Sequence, residues 1–154
     1  MNTVYLVIAL LAGAGMSVQA AVNSRLSSGL GDQPVVAALI SFAVGSVCLA
    51  VIAGFLSDWH QVTNGLGQQP LWRWFGGAIG AGIVFTSVLL AQKLGVANTM
   101  FLFIVGQMIT GMAIDHFGLI QMSVRPAHWW KFAGMGLMVC GLVLFTFGHR
   151  WFGE

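Results

Sequence analysis

Five apolar runs, each about long enough to cross a bilayer as a helix, take up most of this 154-residue chain. A spanning helix needs roughly 20 mostly apolar residues, and the runs fall at 4–22, 35–56, 71–90, 98–117 and 129–147. The stretches between them are too short for a soluble domain. The sequence therefore predicts an all-α polytopic membrane protein of five transmembrane helices, residues 1–154 forming a single transmembrane domain. Charge agrees: Asp, Glu, Lys and Arg make up 6% of the chain, against about 25% in soluble domains. So few charges cannot solvate the surface of a water-soluble protein, and the apolar surplus must face lipid.

Prolines and tryptophans mark the same limits. Pro34, Pro70 and Pro126 all lie between runs, where a missing N–H costs little. Trp59, Trp72, Trp74, Trp129, Trp130 and Trp151 all lie at run ends, as expected of indole rings at the headgroup level. No Lys or Arg precedes the first run, so it is expected to remain as a helix rather than be cleaved as a signal peptide. The longest linker, 57–70, is rich in Gln, Gly and Asn and reads as a flexible surface loop. Cys48 and Cys140 sit inside apolar runs and read as small apolar fillers. Glycines supply candidate helix-packing or dimer seams: Gly76 and Gly80 four apart, and Gly134, Gly141 and Gly148 seven apart. In lipid, small residues that permit close backbone approach do the work that hydrophobic burial does in water.

Basic residues give no orientation signal. With five spans the termini lie on opposite sides. The N-terminal side then holds Arg73, Arg125 and Lys131, and the other side Arg25, Lys93 and Arg150. Orientation normally follows an excess of Lys and Arg on the cytoplasmic side, and here the two sides balance. Such a chain is expected to insert both ways and to pair as an antiparallel homodimer, reproducing the inverted repeat of many transporters. A single weakly determined topology and pairing with a homologous, oppositely oriented chain are the alternatives the balance allows.

Polar residues inside the runs are few and periodic. Gly15, Gln19 and Asn23 recur every four residues, as do Gln107, Gly111 and Asp115, with Thr110 beside them. Four-residue spacing puts each set on one helix face. A polar group in hydrocarbon costs free energy without a partner, so each face should meet protein or a watery cavity. Gln19, Asn23, Gln107, Thr110 and Asp115 are therefore the candidate substrate-binding residues. Asp115, the one acidic residue within a run, could bind a cation or exchange a proton for one. Inverting one copy would bring its Asp115 to the depth of the other copy's Gln19 and Asn23.

Other chemistries find no support. There is no Gly-rich phosphate loop ending in Gly-Lys-Ser/Thr, and no nucleophile with a base in recognisable context, so neither an ATP-driven pump nor an enzyme is expected. His60, His116 and His128 fall on one side with Asp58 and Asp115, but in no standard metal spacing; no metal or cofactor is expected. A net charge of +2 gives no reason to expect nucleic-acid binding.

Gly15-x-x-x-Gln19-x-x-x-Asn23-x-x-Leu26 is similar to the first-helix motif, and Trp74-Phe75-Gly76-Gly77-Ala78-Ile79-Gly80-Ala81 to the start of the third helix, of the YdcZ family of proposed inner-membrane exporters, within the drug/metabolite transporter superfamily. Gly106-Gln107 and Asp115-His116-Phe117-Gly118-Leu119 resemble its fourth, and Lys131-x-x-Gly134 with Gly141 its fifth. The family often has Arg where this chain has Lys131. The resemblance covers nearly the whole chain and implies a half-size transporter unit, multi-pass in the bacterial inner membrane, working as an antiparallel dimer or a pair of chains. The function expected is secondary transport, as an exporter of a small organic molecule that could be proton-coupled. A small dual-topology ion channel and an accessory membrane protein without transport are the alternatives.

Overall fold

In hydrocarbon no water can satisfy a backbone N–H or C=O, so a spanning segment must pair them within itself. The computed structural model, which describes residues 3–153, is accordingly helical, with no strand among the described residues. The order is α1 (Thr3–Gly29), α2 (Pro34–Leu56), a short α3 (Trp59–Leu66), α4 (Phe75–Leu94) entered through a 3₁₀ turn at Leu71–Trp74, α5 (Val96–Phe117), a 3₁₀ turn at Leu119–Gln121, and α6 (Trp129–Phe152). Five of these segments are long and apolar enough to cross a membrane: α1, α2, the continuous Leu71–Leu94, α5 and α6. At 1.5 Å per residue, 22–24 residues reach roughly 33–36 Å, enough for a hydrocarbon core of about 30 Å.

Local chemistry sets the ends. Pro34 opens α2 at a position whose N–H would have no partner anyway. The Asp58 carboxylate accepts from the backbone N–H groups of His60 (3.1 Å) and Gln61 (3.3 Å), capping α3. Only Gly95, at φ +81°, separates α4 from α5. Gly118 ends α5 in the left-handed region at φ +61°; a Cβ there would lie 2.7 Å from Val124 Cγ2, so glycine is required.

Two expectations need correction. α1 does not stop at 22 but runs on to Gly29, α4 runs past 90 to Leu94, and α6 past 147 to Phe152. Polar residues such as Asn23 and Arg25 end the hydropathy signal without ending the helix. Residues 57–70 are not simply a loop: Trp59–Leu66 is helical, nucleated by the Asp58 cap.

The chain divides after Lys93 into two compact units. In the first, α1 packs on α2 through small residues. Ala20, Asn23 and Ser27 of α1 are buried, three and four residues apart as a packing stripe requires, and so are the adjacent Ala37 and Ala38 of α2. α4 joins at the same end, where Ser87, Val88 and Ala91 are buried. There the Gln92 amide donates to Ser24 O (3.3 Å) and Ser28 Oγ (3.4 Å). Towards the other ends of these helices, Tyr5, Leu10, Phe55, Leu56 and Leu71 are exposed, a surface suited to lipid.

The second unit is the α5–α6 hairpin. The Phe101 and Phe145 rings meet edge to face with centroids 5.8 Å apart, a favoured aromatic geometry, and Gly141 lets Phe101 approach α6. At the opposite end the connecting loop folds back onto α5. Arg125 N–H donates to Asp115 O (2.7 Å) and Ala127 N–H to His116 Nδ1 (3.0 Å). His128 then stacks on Trp130 at 4.4 Å as α6 begins.

Candidate functional site

Between its aromatic contact and its connecting loop, the hairpin holds a cavity of about 540 Å³. α5 contributes Gln107, Met108, Gly111, Met112 and Asp115; α6 contributes Lys131, Gly134, Met135 and Met138. On α5, Gln107, Gly111 and Asp115 are four apart with Met108 and Met112 beside them, one helical face. Gly134 has open space where a Cβ would stand, so the cavity keeps its width there. The four methionines give an apolar, polarisable and adaptable lining. A volume in the range of roughly 300–1,000 Å³, apolar walls and a few polar groups are the marks of a small-molecule site.

The charges sit together at one end. Asp115 is in the last turn of α5 and Lys131 in the first turn of α6, brought level by the antiparallel hairpin and the loop bonds to Asp115 O and His116. Asp115 is half-buried and Lys131 exposed. Among the described residues no salt bridge joins them, though both line the same cavity. Gln107 lies eight residues deeper along α5, roughly 12 Å from Asp115. A carboxylate, an ammonium and an amide thus border one apolar space.

The five candidates from the sequence separate. Gln107 and Asp115 line the cavity, and Thr110, exposed on α5, is not among its lining residues. Gln19 is exposed on α1. Asn23 is buried and its amide donates to Ser41 Oγ at 3.1 Å, so α1 and α2 share a satisfied polar contact. Of the candidate packing glycines, Gly80 meets the Phe42 ring and Gly141 the Phe101 ring, each at 3.8 Å. Gly76 and Gly134 face open space, and Gly148 meets only Leu144 and Phe152 of its own helix. Sequence reasoning missed Lys131 and the methionines as site residues. Met108-x-x-x-Met112-x-x-Asp115 is a one-face pattern that could have been read, whereas their opposition to α6 depends on the hairpin register. Among the described residues no group of three or more His, Cys, Asp or Glu could hold a metal, and both cysteines are free.

Comparison with curated proteins gives no match, and neither does comparison with solved structures. Residues 4–144 match the family described as "Putative inner membrane exporter, YdcZ". That stretch takes in four of the five spans nearly whole and most of the fifth, and the chain is a multi-pass inner-membrane protein belonging to the YdcZ family.

Proposed function

We propose that this chain is a secondary transporter that exports a small organic molecule through the α5–α6 cavity, with Asp115 exchanging a proton for the cargo. The observation that carries this function is the cavity itself: about 540 Å³, walled by methionines and bordered by Gln107, Asp115 and Lys131. An intramembrane carboxylate is expensive and marks ion or substrate pathways. Membership of an exporter family supports the direction of transport. The absence of a nucleotide-binding motif from the sequence favours an ion gradient as the energy source.

The working unit we propose is an antiparallel homodimer of oppositely inserted copies. Its support is the three-to-three balance of basic residues and the odd number of spans, since transporters commonly place their sites at the interface of inverted repeats. Reporters fused at both chain ends test the dimer: each end should be found on both sides in comparable amounts, and a single orientation overturns dual topology.

Export is tested without knowing the cargo. Cells expressing the wild type, Asp115→Asn or an empty vector are compared by untargeted mass spectrometry of the medium. At least one compound should accumulate outside with the wild type only. Three indistinguishable profiles would overturn the export function.

A further inference from the structure

Asp115 and Lys131 border one cavity, carry opposite charges, and are not joined to each other. A charge drawn out of water is costly until it is paired. A cationic ligand would satisfy Asp115 and be repelled by Lys131. An anionic ligand would satisfy Lys131 and be repelled by Asp115. An uncharged ligand would desolvate both and pair neither. Only a molecule carrying both charges lets the cavity close over its contents with each group matched. The methionines deeper in the cavity then need an apolar body against them, and Gln107 can hydrogen-bond a polar atom at its far end.

We infer that the cavity selects a zwitterion with an apolar body, its ammonium held at Asp115 and its anionic group at Lys131. This rests on the cavity being the substrate site of the transporter proposed above, and it names the class of cargo. Zwitterionic chemistry has two sources in a membrane, a free small molecule and a phospholipid headgroup. The volume of about 540 Å³ is that of a small-ligand pocket and favours the free molecule.

The test uses three probes with one ring and different charges: L-phenylalanine (zwitterion), L-phenylalaninamide (cation) and N-acetyl-L-phenylalanine (anion). Binding is measured on the full chain in nanodiscs of purely anionic lipid. L-Phenylalanine should bind at least about tenfold more tightly than either singly charged probe, since each of those leaves one charge unmatched. Asp115→Asn should move the preference to N-acetyl-L-phenylalanine, and Lys131→Gln to L-phenylalaninamide. A merely structural role for either residue would weaken all three probes alike. If a variant fails to fold, the wild-type ranking still decides. Equal or tighter wild-type binding of a singly charged probe overturns the inference, as does binding of none of the three. Loss of L-phenylalanine binding when phosphatidylethanolamine is added to the discs assigns the site to the lipid headgroup and overturns the small-molecule class. Failure here, with Asp115-dependent export intact, removes the cargo class and leaves the transporter. Preference for the zwitterion without export leaves the binding site and removes the transporter.

Discussion

Asn23 and Gln107 are both amides on spanning helices, and they show how differently the two units are built. Asn23 is 4% exposed and donates to Ser41 among close-packed alanines and serines. Gln107 is exposed and borders a cavity with methionines around it. Small residues in the first unit bring backbones together, and Asn23 finds its partner in Ser41. Beside the cavity, Gly134 serves the opposite end: nothing lies within 4 Å of where its Cβ would be, and space is kept. A polar residue in a membrane helix is therefore not in itself a mark of function; the room around it separates glue from binding group.

The largest test of this contrast is Asp115→Asn. Removing the charge should lower export by about a hundredfold and leave unfolding in detergent unchanged, because Asp115 is half-buried and has no ion-pair partner among the described residues. A matching loss of stability would show it to be structural, like Asn23. Next come two substitutions of small residues by leucine, followed by denaturant titration. Ala37→Leu, at a site with 0% exposure, should cost about 1–3 kcal/mol through overpacking. Gly134→Leu fills open space and should change stability by no more than about 0.5 kcal/mol while shrinking the cavity and reducing export. If the two cost the same, the packed end and the open cavity are not distinct.

Gly118→Ala should cost about 1–2 kcal/mol for its left-handed backbone, with some addition from Val124. It should also loosen the loop whose Arg125 bonds to Asp115 O, read as faster hydrogen exchange at Arg125 and Ala127. The smallest effect belongs to Asn23→Ala, about 0.5–1.5 kcal/mol for one hydrogen bond. Export measured at equal protein level should persist, and a loss as large as that of Asp115→Asn would return Asn23 to the site.

Hydropathy, three prolines and six tryptophans point to each of the five long apolar helices, because each responds to the water–lipid boundary. They do not place helix ends, since a helix continues wherever its backbone is paired. α1 runs seven residues beyond 22, to Gly29, because Asn23 and Ser27 are buried against their neighbours. α3 was readable from Asp58 as a cap, but the Gln, Asn and Gly around it pointed to a loop. Four-residue spacing put Gln107 and Asp115 on one face, and they do share the cavity. The same spacing linked Gln19 to Asn23, where α1 leaves one exposed and buries the other. Lys131, Met135 and Met138 could not be assigned from spacing, because their place opposite α5 depends on how two helices pair.

The hairpin around the cavity is pinned at both ends, by Phe101 against Phe145 with Gly141 and by the loop bonds to Asp115 and His116. Two rods fastened top and bottom are open only along their flanks. A molecule reaching this cavity without undoing either fastening therefore arrives sideways, sliding between α5 and α6.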